Sequence, residues 1–218
     1  MNAQNAVRSV RHGCVCFAFR DCTVYADPYL IESSPHDADL VIITHSHFDH
    51  YSVRDLACVI NNQTHFITNA DVAARLRKDF GIENDRITQI EINADAVCFG
   101  SVSVRAVLAV NKNHPTGFGF GAVIKADGFT YYLSGDTDFL CDVGACDLLF
   151  CVCDGEWNMP DYLSAVPHQI TAMKTAPALV IPYHYGADHP ASAQNGSALC
   201  RVLRGYGICA AEWPFSEK

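Results

Sequence analysis

The 218-residue sequence has no Cys-x-x-Cys pair, no Gly-x-Ser-x-Gly stretch and no apolar run near the ~18 residues of a membrane span. The first absence counts against a disulfide reading of the cysteines, and the second against a serine-elbow hydrolase. Basic residues are scarce, with 15 Lys and Arg against 24 Asp and Glu and a formal charge of −9. An acidic balance disfavours an extended contact with a phosphate backbone, so no nucleic-acid partner is expected. The start, MNAQNAVRSVRHG, lacks the apolar stretch of a secretory signal. A soluble, cytoplasmic protein without a membrane partner is therefore expected, and its oligomeric state is open. No Ser/Gly linker, low-complexity tract or charge block interrupts the chain, which reads as one domain over residues 1–218.

Cysteine is abundant, but in the wrong way for disulfides. Eleven is an odd number and amounts to about 5% of the chain, below the density of a disulfide scaffold. Cys14/Cys16 and Cys151/Cys153 sit in apolar runs, where alternate residues of a strand share a face. They are expected to pack as small buried hydrophobes in a reducing compartment.

Half of the residues are apolar and 18% are charged, which excludes a disordered chain. Cys14–Phe19 and Cys22–Asp27 read as a hairpin around Arg20-Asp21. Leu40–Thr44 is a continuous apolar run, the mark of a strand covered on both faces. Asp71–Phe80 carries Val72, Leu76 and Phe80 on one helical stripe, closed by Gly81. Ser101–Val110 alternates as a half-buried strand does. Ala122–Ala126 and Phe129–Leu133 flank an Asp127-Gly128 turn, and Leu148–Cys153 and Leu179–Pro182 are further buried strands. A last helix is expected near Ser192–Tyr206. Two sheets packed together with helices outside satisfy this mixture, without fixing the strand order.

The chemistry concentrates in Thr44-His45-Ser46-His47-Phe48-Asp49-His50, directly after the apolar Leu40–Thr44 run. Alternate residues of extended chain point the same way, so His45 and His47 can converge on one ion. Asp49 and His50, where the chain turns towards a helix, can face a second. Four ligands cannot fill two metal shells, so loops elsewhere must supply the rest. His114, Asp136 (in Ser-Gly-Asp-Thr) and His184 (in Pro-Tyr-His-Tyr-Gly) each follow a strand in this way. A lone His after a strand is more often a surface or core residue, but the recurrence raises all three together. Gly117, Gly119 and Gly121 precede a strand rather than a helix and do not form a nucleotide loop.

From Val10 to about Gly186 the chain resembles the metallo-β-lactamase superfamily of metal-dependent hydrolases, most closely its small bacterial, ascorbate-phosphate lactonase-like branch. Ala26-Asp27-Pro28, Thr44–His50, Asn111–Gly121, Ser134–Asp138 and Ile181–Gly186 carry the likeness. It implies an α/β four-layer αββα sandwich and two divalent ions, zinc first, with manganese or iron as alternatives. His45, His47 and His114 would hold one ion, Asp49, His50 and His184 the other, and Asp136 would bridge them. Asp27 would orient the His-x-His loop without binding metal, unless it is a plain strand-ending Asp-Pro turn. Asp49 and Asp136 would serve catalysis, in which a hydroxide bridging the ions attacks a small-molecule ester, lactone or phosphodiester. An iron-dependent, dioxygenase-like redox enzyme and a non-catalytic metal-binding protein are the alternatives. The sequence departs from the family in carrying His12-Gly13 where Gly-His is usual, which leaves His12 without a clear supporting role. It also has Asp154–Met159 in place of a Gly-Gly-x-Tyr-Thr-Met type stretch, making Glu156, Trp157 and Asn158 substrate-pocket candidates or plain surface. His168 is expected in the first turn of a helix, His189 at most on a rim, and His36 and His65 have no role.

Overall fold

The computed structural model describes residues 2–187 and 189–214. Its first sheet runs in the order β1 (Val7–Arg11), β2 (Cys14–Ala18), β3 (Thr23–Ala26), β4 (Leu40–Ile43), β5 (His65–Thr68) and β6 (Ile87–Gln89). The second runs β12 (Leu179–Tyr183), β11 (Leu148–Val152), β10 (Phe129–Leu133), β9 (Gly119–Ala126), β8 (Val102–Ala109) and β7 (Val97–Phe99). Helices α1 (Val53–Val59) and α2 (Ala70–Phe80) pack on the first sheet, and α3 (Tyr162–Ala172) and α4 (Asn195–Gly205) on the second. The result is the expected four-layer αββα sandwich. Among the described residues, no helix is long and apolar enough to cross a membrane.

Side-chain alternation explains the layers. Leu40 and Ile42 join the large cluster between the sheets, whereas Val41 and Ile43 join Leu56, Val59, Val72 and Leu76 of α1 and α2. A strand with both faces covered must be apolar throughout, which accounts for the continuous Leu40–Ile43 run. Each such Leu, Ile or Val removed from water contributes about 1.5–3 kcal/mol. Across the second sheet, Val166, Ile170, Leu199 and Leu203 of α3 and α4 pack outside while Val104, Ala106 and Ile124 join the same extended cluster.

The helix ends are set by local chemistry. The Asn69 side chain accepts from Val72 N at the start of α2, and Gly81 closes it at φ 65°. His168 lies in the middle of α3 rather than in its first turn, because the helix begins six residues earlier at Tyr162. The last helix begins at Asn195, since Pro190–Ser192 forms a separate 3₁₀ turn. All eleven cysteines are free, and seven of them are buried, as packing residues should be. Cys98 and Cys209 are exposed and depart from that expectation.

One topological feature positions the site. Strands β3, β4 and β5 are parallel, as are β10, β11 and β12. Parallel strands bring their carboxyl ends to one edge, where loops collect. The double reversal from β10 through β9 to β8 also returns the end of β8 to that edge, and the β1–β2–β3 meander does the same for β1.

Candidate metal centre

The residues that follow these strands converge. Asp27 follows β3, His45 to His50 follow β4, His114 follows β8, Asp136 follows β10, Asp154 follows β11 and His184 follows β12. Of the His and Asp residues among them, all but His47 and Asp49 are buried. One group comprises His45, His47, His114 and Asp136, and a second His50, Asp136 and His184, so Asp136 belongs to both. In the first, His47 Nδ1 lies 3.2 Å from His45 Nε2 and 3.0 Å from His114 Nε2. In the second, Asp136 Oδ1 is 3.2 Å from both His50 Nε2 and His184 Nε2, which are 3.0 Å from each other. Asp49 Oδ2 lies 3.6 Å from His50 Nε2 and 3.4 Å from His184 Nε2.

These spacings fit a cation. Ligands at about 2.0–2.1 Å in a tetrahedral shell stand roughly 3.4 Å apart. The buried Asp136 Oδ1 makes no well-aligned hydrogen bond and faces only the two imidazole nitrogens of the second group. A buried carboxylate oxygen left without a donor is costly unless a positive charge meets it. The donor set, imidazole and carboxylate without thiolate, suits zinc, manganese or iron. The groups that could hold metal are therefore His45, His47, His114 and Asp136 on one side, and His50, His184, Asp49 and Asp136 on the other.

Surrounding residues fix which nitrogen of each imidazole faces inward. Asp27 Oδ1 accepts from Thr44 N at 2.7 Å, and Asp27 Oδ2 accepts from Thr44 Oγ1 at 2.7 Å and from His50 Nδ1 at 2.8 Å. His50 Nε2 is thereby left pointing at Asp136. With its proton committed to Asp27, Thr44 Oγ1 can accept from His45 Nδ1 at 3.0 Å, which turns His45 Nε2 inward. Asp27 thus stands behind the loop, bonded to Thr44 and His50. Gly13 is required by close approach, because a Cβ there would stand 3.0 Å from His50 Cε1 and 3.1 Å from His184 Cδ2. Gly135 takes φ 65°, and a Cβ there would meet the Phe120 carbonyl oxygen at 2.7 Å.

Electrostatics follow from burial and pairing. Burial alone would raise the Asp136 carboxyl, but His184 and His50 outweigh it and hold the group well below the usual carboxylate range. The same pairing works in reverse on the histidines. Burial lowers His50 and His184, yet Asp136 and the other carboxylates lift His50 well above its ordinary value and His184 to about 10. Burial dominates at His45 and His114, which are lowered and so stay neutral, the form that binds metal.

Two residues of the site carry no assigned role in the sequence reading, His12 because its Gly-His order is reversed and Asp154 because only its loop stands out. His12 Nε2 stands 3.1 Å from Asp49 Oδ2, with its ring 3.9 Å from that of His184, and His12, Asp49 and His184 form a third potential cation group. It arrives at the site because β1 ends there and the chain turns through His12 at φ 50°. Asp154 Oδ2 stands 3.5 Å from His184 Nδ1, while its Oδ1 accepts from the backbone N–H groups of Glu156, Trp157 and Asn158. The signal for Asp154 was the placement already noted for Asp136 and His184, an acidic or imidazole group just past a buried strand.

A cavity of about 260 Å³ opens over the cluster. Of the pocket candidates, Trp157 lines it, half exposed. Glu156 lies beside the cavity, 2.8 Å from His189, which does line it. Asn158 is fully buried beneath the cluster, donating to Asp136 Oδ2 at 3.2 Å and Asp154 Oδ2 at 2.7 Å, so it supports the carboxylates instead of facing a ligand. The remaining histidines lie elsewhere: His36 contacts the Ile60 carbonyl, His65 contacts Thr88, and His168 lies beside Ser164 and Tyr206.

Comparison with known proteins agrees with the fold. Residues 18–185 match the family model described as the beta-lactamase superfamily domain. A UPF0173 metal-dependent hydrolase of Methanosphaerula palustris is 30% identical over 204 residues, covering 88% of each chain. The novel metallo hydrolase of Ignicoccus hospitalis superposes with a TM-score of 0.75 at 18% identity, covering 97% of this chain and 98% of its own. CmlA, a diiron β-hydroxylase of Streptomyces venezuelae, superposes with a TM-score of 0.70 at 17% identity, covering 94% of this chain and 51% of its own. At such identities the two structures share the fold and decide nothing about the reaction.

Proposed function

The chain belongs to the beta-lactamase superfamily domain family and is a metal-dependent hydrolase, and on that premise we propose that, as one domain, it holds two divalent ions, zinc first, and hydrolyses a small carboxylic ester or lactone. The observation that carries the reading is Asp136, a buried carboxylate shared by two imidazole groups. When bound, such ions would supply a water that deprotonates near neutral pH, together with positive charge for the substrate oxygen.

The protein's own groups do the rest. His45, His47 and His114 grip one side, and His50, His184 and Asp49 the other. Asp27 and Asp154 hold the imidazoles from behind. Asp136, reached from both sides, would fix the nucleophile. Asn158 keeps Asp136 in place through Oδ2. Hydrolysis would add water across the acyl C–O bond: the water oxygen joins the carbonyl carbon, the bond from that carbon to the leaving oxygen breaks, and the proton ends on the leaving oxygen. No Ser or Cys nucleophile is needed, consistent with thiols such as Cys151 being pushed up by burial.

The test is elemental analysis of purified protein, then a panel of lactones, thioesters, esters and phosphodiesters on the same sample. Two ions per chain with metal-dependent ester or lactone cleavage are expected. Phosphodiester cleavage alone would overturn the substrate class. Iron with oxygen consumption and no hydrolysis would favour the redox alternative, and metal without any turnover a binding protein.

A further inference from the structure

The mouth of the cavity is aromatic. Phe48 and Trp157 are 67% and 54% exposed, and both line it. Large apolar side chains left this open, and grouped at one opening, mark a surface that takes a ligand. They come from opposite sides. Phe48 projects from the His45–His50 loop, its ring 6.1 Å from that of Tyr29 in an edge-on contact, while Trp157 projects from the loop after β11. Both loops are anchored at their bases by the carboxylates that support the histidines, Asp27 for one and Asp154 for the other. The aromatic faces are thus held at fixed places beside the cluster.

Among the described residues, no Lys or Arg lines the cavity. Lys112, next to it, donates to the Glu156 carbonyl at 3.1 Å and lies 5.4 Å from the centre of the Trp157 ring. Glu156 itself, paired with His189, adds negative charge at the rim. An anionic arm extending away from the metals would meet Glu156 and, among the described lining residues, no Lys or Arg, with Lys112 already engaged outside the lining, whereas a flat apolar arm would meet two aromatic faces. At about 260 Å³ the space is at the small end for ligand pockets, enough for one ring beside the reacting group.

We propose that the substrate is an uncharged carboxylic ester or lactone bearing one aromatic arm, which is received by Phe48 and Trp157. This rests on the hydrolase reading above. The experiment compares phenylacetate methyl ester, methyl acetate and the methyl monoester of succinate on zinc-loaded protein, for wild type, Trp157→Ala and Phe48→Ala. Binding of phenylacetamide against acetamide is measured in parallel by ligand-observed NMR. The expected kcat/KM is at least tenfold higher for the aryl ester than for methyl acetate, and lower still for the succinate ester. In each variant that aryl preference falls at least fivefold, mainly through KM, with metal content unchanged. An aryl-to-methyl ratio that stays near one, a preference for the charged ester, or a ratio indifferent to both variants would overturn the proposal. Selective phenylacetamide binding without hydrolysis of any ester would overturn the hydrolase reading and with it the ester assignment, while leaving the aromatic preference of the cavity standing.

Discussion

Replacing Asp27 by Asn tests the support of the cluster with little change of shape. The native carboxylate accepts three hydrogen bonds, from Thr44 N, Thr44 Oγ1 and His50 Nδ1, all between 2.7 and 2.8 Å. An amide keeps one acceptor, which satisfies Thr44 N, but presents an NH₂ towards His50. His50 then accepts at Nδ1 and carries its proton on Nε2, the atom that faces Asp136. That tautomer cannot bind a cation through Nε2. Loss of such a supporting partner reduces metal affinity about 10–100-fold, or roughly 1.4–2.7 kcal/mol. The fold itself should lose only about 1–3 kcal/mol, the scale of a perturbed buried polar group. Competition titration with a chelator should show one site weakened by that factor and the His45–His47–His114 site less affected. Denaturant unfolding of the metal-free variant checks the second figure. Unchanged affinity at both sites in a folded Asp27→Asn protein would refute the argument that Asp27 sets the His50 tautomer.

Three further outcomes follow from the same geometry. Gly13→Ala forces a methyl to 3.0–3.1 Å from the His50 and His184 rings, so metal occupancy measured by elemental analysis should fall while circular dichroism stays native. In metal-free protein, the raised His184 makes a contribution to stability that is complete below its unfolded value of about 6.5. That contribution is lost as pH rises through about 10, so the metal-free Tm should decline over this window, whereas a rising Tm there would contradict the pairing with Asp136. At pH 7.5 metal must expel the same proton, and binding enthalpies should vary with the ionisation enthalpy of the buffer. Phe66→Ala, at a fully buried position of the cluster under α1 and α2, should cost about 3–5 kcal/mol in denaturant unfolding.

The sequence made most of the sandwich visible because its central strands are apolar on both faces or alternate cleanly, as at Leu40–Ile43 and Val102–Ala109. Short strands such as β6 and β7, partly exposed at the edges, carry too little pattern to be read. Strand order depends on pairings between distant segments, β10 with β11 and β3 with β4 among them, and no local pattern encodes these. The same limit explains the two site residues to which the sequence assigns no role. His12 belongs to the site only because β1 runs parallel to β3, and β1 is hidden by Arg8 and Arg11 in Val-Arg-Ser-Val-Arg. Asp154 follows a strand that was recognised, but its side chain works inward through His184 and Asn158 while its neighbours Glu156 and Trp157 reach outward. Asn158 could not be separated from them without knowing how the loop wraps around the Asp154 carboxylate.

The central claim, that this edge of the sandwich is a two-metal hydrolytic centre, is tested most directly by counting metal while measuring turnover. Metal-free protein is titrated with zinc, and hydrolysis of an ester substrate is followed at each addition. The account predicts activity that saturates at two ions per chain in wild type and no two-ion plateau in Asp136→Ala. A plateau at one ion, or two ions still bound with full activity in Asp136→Ala, would contradict it.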